Sequence, residues 1–305
     1  MPQAAIIEVT QAESGQKLVQ FLERRLQGDV PRSAIMRWIR KGQVRVDKGR
    51  KKPFDRVRAG QNVRIPPYRA EDAPQQSADS QAKPLDIIHH ENGLLAVNKP
   101  AGLAVHGGDG HDDSVVSRLQ AMYPDADFGP TLCHRLDRDT SGLLLAATSY
   151  ATLRAMNDRF ASNGVHKLYL AWVTGCWTRP GKTMLRDRVK KKGGPGSEKM
   201  TTGSGKHAEA EVVCLCSHDT ASLMAIRLLT GRTHQIRLQL ASREHPVIGD
   251  GKYGKIARTG LKLHCFCLQL PKQTFCLPPA WQGKWAVSET HLRKARGLLP
   301  NEFLV

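Results

Sequence analysis

The sequence predicts an α+β protein: a mixed, mainly antiparallel sheet domain preceded by a small α/β unit. Three observations point there. Apolar runs with strand-like alternation are interspersed with amphipathic helical segments, in no regular βαβ series. No strand is followed by a dinucleotide-binding fingerprint. A stretch rich in Ala, Gln, Ser, Asp and Pro, residues 69–84, separates a basic N-terminal segment from the rest and reads as a linker. At 305 residues the chain has room for two such domains.

Residues 1–14 read as a loose tail. Leu18, Phe21, Leu22 and Leu26 then recur at helical spacing. A second helix follows Pro31, with Ile35, Trp38 and Ile39 on its apolar side and Arg37, Arg40 and Lys41 on another face. Gly42 fits the C-terminal cap. Val44 and Val46, then Val63 and Ile65, alternate as short strands around a cationic run that includes Lys51 and Lys52. Beyond the linker, a domain over residues 85–305 opens with a strand over Leu94–Asn98. Val115, Leu119 and Met122 mark a helix after Ser114. Leu143–Ala147 reads as a buried strand, and Ser149 as the N-cap of a helix carrying Leu153, Met156 and Phe160. Further strands are expected at Leu168–Val173, Ala210–Leu215, Leu223–Leu229 and Leu261–Leu270. Residues 186–206, basic and Gly-rich, read as a mobile surface loop able to meet phosphates.

The net charge of +18 and a pI near 9.9 imply a polyanionic partner, either nucleic acid or an anionic membrane. No apolar run approaches the ~20 residues of a membrane span, and no export signal is visible at the N-terminus, so a cytoplasmic protein is expected. In that setting the seven cysteines are expected to be reduced and mostly buried. Cys214 and Cys216, like Cys265 and Cys267, lie in strand-like runs that would put both thiols on one sheet face, a poor spacing for zinc.

Three segments carry chemistry. In Cys133-His134-Arg135-Leu136-Asp137-Arg138-Asp139-Thr140-Ser141-Gly142, Asp137 stands between two arginines at a strand entrance. Nearby cations favour the ionised carboxylate that a nucleophile or base requires. In His166-Lys167-Leu168-Tyr169-Leu170-Ala171-Trp172, Tyr169 points away from Leu168 and Leu170 and could stack on a base. In Leu229-Thr230-Gly231-Arg232-Thr233-His234-Gln235-Ile236-Arg237, a strand ends and a helix begins, with Arg232 at the turn. Singly, each also fits an ordinary salt bridge, amphipathic strand or helix start.

Together, "HRLDRDTSG", "KLYLAWV" and "LLTGRTHQIR", with "VNKPAGLAVHGG" upstream and "HPVIGDGKYG" and "LKLHCFCLQLP" downstream, resemble the signature set of the RluA-type pseudouridine synthase family over about residues 85–275. Residues 15–68 resemble an S4-type RNA-binding domain, with Arg37, Arg40, Lys41, Lys51 and Lys52 as RNA contacts. The resemblance implies that Asp137 is the catalytic aspartate and Tyr169 the active-site tyrosine. It implies that Arg135 helps displace the target base and that Leu263 packs near the site, although "LHCFCL" departs from the small-residue pattern there. The basic partner of Asp137 is expected at Arg232, with Arg237 the alternative. The implied reaction converts uridines of 23S (large-subunit) ribosomal RNA to pseudouridine without cofactor or metal, by a monomer.

Two other classes compete. A non-catalytic RNA-binding factor has no need of Asp137, Tyr169 and Arg232 together. A hydrolase using Asp137 and Asp139 as a pair needs one of them protonated, which the adjacent arginines oppose.

Overall fold

A computed structural model describes residues 4–26, 29–68, 83–107, 113–192, 199–218 and 220–300. Two hydrophobic cores organise them. The N-terminal core gathers Val9, Leu18, Phe21, Leu22, Ile35, Ile39, Val44, Val63 and Ile65. It is built by helices α1 (Leu18–Arg25) and α2 (Arg32–Arg40) on a three-stranded antiparallel sheet of β1 (Ala5–Glu8), β2 (Arg45–Val46) and β3 (Asn62–Ile65), in the order β1-β3-β2. Gly42 follows α2 at φ +67°, where a Cβ would be strained.

The expected tail is therefore a strand. Ala5 to Glu8 pair with Ile65 to Asn62, because β3 has an open edge and Ile7 and Val9 turn toward the core. A 3₁₀ turn, Gln11–Glu13, follows; Glu13 caps it through the Thr10 amide and is buried under a two-pronged pair with Arg25 at 2.7 and 2.8 Å.

The larger unit is one sheet. Its strands are β4 (Asp86–Glu91), β5 (Leu94–Lys99), β6 (Thr131–Leu132), β7 (Ser141–Ala147), β8 (His166–Thr174), β9 (Lys182–Lys192), β10 (Lys199–Thr202), β11 (Lys206–His218), β12 (Ala221–Leu228), β13 (Leu263–Leu270) and β14 (Gln273–Cys276). The order is β10-β9-β11-β12-β8-β13-β7-β5-β4, with β14 on β13 and β6 on β7. Among the described strands only β7 and β13 pair in parallel, so the sheet is mixed and mainly antiparallel, as expected. Gly142, at φ +108°, makes that joint possible: a Cβ there would stand 2.3 Å from the Cys265 carbonyl oxygen.

Helices cover the sheet. Ser114 and Ser149 cap α3 (Val115–Met122) and α4 (Tyr150–Ala161), accepting from the Ser117 and Thr152 amides, and α5 (Gln235–Ala241) follows β12. On β8, Leu168, Leu170 and Trp172 face a core closed by α6 (Glu289–Arg296), whereas Tyr169, Ala171 and Val173 face the opposite core. The sequence reading missed α6, although Ser288 and the Leu292/Ala295 spacing mark it.

Three expectations fail here. The basic loop is instead the strands β9 and β10 and the start of β11, since Leu185 and Val189 alternate into the core between exposed cations; residues 193–198 lie outside the described residues. The cysteine pairs do not share faces. Bulges between Cys214 and Cys216 and between Cys265 and Cys267 advance each strand by one residue, so the members of each pair fall in different cores. Cys267 and Cys276, opposite each other on β13 and β14 with Cα atoms 4.2 Å apart, form a disulfide. Of the other five, Cys133 and Cys265 are buried.

The two units touch. Arg24 of α1 lies 4.3 Å over the ring of buried Phe128 and donates to Thr131 Oγ1 at 2.7 Å; Arg56 donates to the Tyr150 hydroxyl at 3.2 Å. The linker residues 69–82 lie outside the described residues. No described helix is long and apolar enough to cross a membrane.

Candidate active site

Asp137 sits on a loop between β6 and β7 that is pinned along its length. The Cys133 amide donates to the Leu145 carbonyl at 2.8 Å, and the Leu145 amide donates to His134 Nε2 at 3.0 Å. His134 must therefore be neutral there, and burial pushes its pKa down to about 3. On the far side, Lys99 is wholly buried, and its Nζ donates to the Arg138 and Pro100 carbonyls at 2.7 and 2.8 Å. Burial lowers the Lys99 pKa to about 8, with Asp139 and Asp137 opposing. The Gly102 amide donates to the same Arg138 carbonyl at 3.0 Å. A rigid sheet thus presents a short, braced loop.

The loop opens into a cleft of about 590 Å³, lined by Arg135, Asp137, Lys167, Tyr169, Arg232, His234, Arg237 and Leu263 among others. Every residue expected at the reacting centre lines it. Asp137 is one-fifth exposed, and Arg135 is exposed, with no side-chain partner among the described residues. Tyr169 and Cys265 are cross-strand neighbours. Burial, with Cys265, holds the Tyr169 hydroxyl protonated far above the ordinary phenol range, so the ring offers a neutral stacking face. Leu263 is buried beside them.

The arginine pairing corrects the sequence reading. Arg237 Nη1 donates to Asp137 Oδ2 at 3.2 Å. Arg232 instead donates its Nε to the His207 carbonyl at 2.9 Å and is exposed. The reason is helical: Gln235 through Leu240 are buried as α5 packs inward, while Arg232 belongs to the turn before the helix. Arg237 is held in turn by Asp250, through Nε at 2.8 Å and Nη2 at 2.7 Å.

Asp250, within the "HPVIGDGKYG" stretch, had no role from sequence. It is fully buried and also accepts from the Lys252 and Tyr253 amides at 2.9 and 3.1 Å. Burial opposes its ionisation, but the Arg237 hydrogen bonds and these amides outweigh that and lower its pKa. Burial likewise opposes the charge on Arg237, and its two carboxylates reverse that and raise its pKa. The result is a carboxylate–guanidinium–carboxylate row with one net negative charge. Among the described residues Asp137 Oδ1 accepts no hydrogen bond, so a substrate would meet that oxygen.

The match to the RNA pseudouridylate synthase family model spans residues 93–242, which contains the Asp137, Tyr169 and Arg237 motifs. Ribosomal large subunit pseudouridine synthase C of Escherichia coli (strain K12) is 37% identical over 259 residues, covering 83% of this chain and 81% of that protein. The chain belongs to the RNA pseudouridylate synthase family. The synthase of the same description from Pasteurella multocida (strain Pm70) is 36% identical over 279 residues, covering 87% and 85%. Human RNA Pseudouridylate Synthase Domain Containing 1 superposes with a TM-score of 0.60 at 24% identity, over 72% of this chain and 97% of that one, which shows the shared synthase fold.

Proposed function

We propose that this synthase isomerises specific uridines to pseudouridine in 23S (large-subunit) ribosomal RNA, with Asp137 as the reacting carboxylate. One observation carries the reading: Asp137 lines a cleft together with Tyr169 and Leu263, with Oδ2 bonded to Arg237 and no hydrogen bond to Oδ1 among the described residues. The isomerisation breaks uracil N1–C1′, rotates the base, forms C5–C1′, and moves the C5 proton away while N1 gains one. Oδ1 serves either route, attack at C1′ or removal of a ribose proton. Neither oxidation nor hydrolysis occurs, so the chemistry calls for no cofactor.

The target base must leave its stack to reach this depth, and the exposure of Arg135 on the cleft lining supports a role in filling its position. Tyr169 then offers its face to the uracil and Leu263 closes the pocket. Arg232, exposed and tied by its Nε to the His207 carbonyl, fits an RNA-backbone contact. The N-terminal unit supports the S4-like reading: Arg37, Arg40, Lys41, Lys51 and Lys52 are all exposed, and among the described residues none of their side chains forms an ion pair. Both bacterial relatives carry ribosomal large subunit in their names, which supports the substrate class. The same substrate supports a cytoplasmic place of action, and the proposal takes the protein to act as a monomer.

The test is Asp137→Asn on a 23S transcript. Pseudouridine formation is expected to vanish while the Kd for RNA stays within about twofold, since one charge in +18 sets little of a phosphate-dominated affinity. Normal product from the variant would refute the assignment.

A further inference from the structure

Arg237 grips Asp137 through a single N–H, because its other two bonding nitrogens are committed to Asp250. One hydrogen bond leaves the carboxylate free to swing about its Cβ–Cγ bond. A second donor from another direction would fix the plane and keep Oδ1 aimed into the cleft.

His234 stands where that donor is needed. Its Nε2 is 3.9 Å from Asp137 Oδ2, longer than a hydrogen bond by about 0.7 Å or more. Its other nitrogen, Nδ1, lies 3.0 Å from the Tyr253 hydroxyl. That hydroxyl accepts from the Met200 amide of β10 at 3.1 Å and can give its own proton to Nδ1. The ring's hydrogen is then on Nε2, pointing at Asp137. Burial lowers the His234 pKa; Asp137 and Asp250 oppose this and Arg237 and Lys252 reinforce it, leaving a neutral ring. The backbone supplies a separate observation. His234 has φ +53° and ψ +23°, the left-handed region that Gly or Asn adopts most readily. Residues held in this region gather at active sites, where the surrounding structure keeps them in place.

The geometry points to His234 as a positioning residue for the Asp137 carboxylate, with Tyr253 and the Met200 amide setting its tautomer. Met200 belongs to the outermost strand of the sheet, which pairs with the basic strand β9 and packs with Val189, Leu238 and Tyr253. Contacts to a reacting group commonly tighten into hydrogen bonds as substrate fills a cleft, and the 3.9 Å contact is expected to do so. This rests on the reading of Asp137 as the reacting group.

The experiment compares His234→Asn, His234→Gln, His234→Ala and Tyr253→Phe with wild type, measuring kcat and KM on a 23S transcript alongside Tm. Asn suits the left-handed backbone but carries its amide at the depth of Nδ1, whereas the Gln amide reaches the depth of Nε2. Asn and Ala should lower kcat about 10- to 100-fold with KM within about twofold, as expected when one hydrogen bond to a charged group is removed. Gln should keep kcat within about tenfold of wild type, and Tyr253→Phe should lower it about three- to tenfold, because the tautomer is no longer enforced. Wild-type kcat in His234→Asn, a loss confined to KM, or losses that follow Tm across the set overturn the proposal. Wild-type kcat in Tyr253→Phe overturns the relay. If instead wild type forms no product, or Asp137→Asn does, the underlying assignment fails and the proposal falls with it.

Discussion

At the scale of single residues, the site depends on a buried charge row in which each member has a distinct load. Asp250 is fully buried, and its compensation comes chiefly from Arg237 and two backbone amides. Arg237→Met strands that charge, so it should cost about 3–5 kcal/mol of stability and abolish activity. Adding Asp250→Asn should restore much of the stability and none of the activity, because Asp137 still lacks its partner. Arg237→Lys cannot span both carboxylates, since one ammonium replaces a planar fork. Arg232→Met, at the exposed turn, should leave stability within about 0.5 kcal/mol and weaken RNA binding instead. Thermal and denaturant melts of these variants decide the matter; additive shifts for the 237/250 double variant would show that the two are not coupled.

At the scale of elements, the parallel joint between β7 and β13 carries the Asp137 loop. His264 straps it: Nδ1 accepts from the Ser141 hydroxyl at 2.8 Å and Nε2 donates to the Leu277 carbonyl at 2.8 Å. Only 3% exposed, it has a pKa that burial pushes down to about 4. The folded value is depressed below the unfolded ~6.5, so the unfolded chain binds the proton first as pH falls. The neutral ring's contribution is full above ~6.5 and is lost between there and about 4, at roughly 1.4 kcal/mol per pH unit. Tm should therefore drop with acidification across that window. His264→Gln should start lower at neutral pH and show a flatter curve; an unchanged slope would mean that His264 is not the titrating group.

At the scale of the whole molecule, the two cores are joined by a small polar and aromatic seam, not by a shared apolar one. Arg24 seals it, stacked over Phe128 and bonded to Thr131. Arg24→Ala should cost about 1–2 kcal/mol, the worth of a partly buried cation–π interaction and a hydrogen bond. Removing residues 1–82 should have two effects. The salt dependence of RNA binding should become shallower, by about 0.9 in log–log slope for each duplex phosphate that the N-terminal unit neutralises. The remaining sheet domain should melt slightly lower, because Phe128 and Tyr150 are uncovered. A binding titration at several salt concentrations, paired with a melt, checks both. An unchanged salt slope would show that the N-terminal unit does not touch RNA.

Periodicity and caps determined much of this protein in advance. Ser114 and Ser149 marked α3 and α4, the alternation around Tyr169 marked which side of β8 faces the cleft, and the Asp137, Tyr169 and Arg237 motifs marked the residues of the cleft. These are local signals, readable because a helix or strand repeats within a few residues. Tertiary structure alone decided what depends on partners distant in sequence. Arg237 rather than Arg232 reaches Asp137 because packing chooses which face of α5 turns inward, 100 residues from the carboxylate. Asp250 is a partner only once its loop folds under that helix. Bulges, which single-strand alternation does not reveal, parted Cys265 from Cys267 and left Cys267 opposite Cys276. The first strand formed because β3, more than fifty residues on, offered an unpaired edge. Backbone groups and buried charges must be satisfied wherever the chain brings them together, and only the folded chain says where that is.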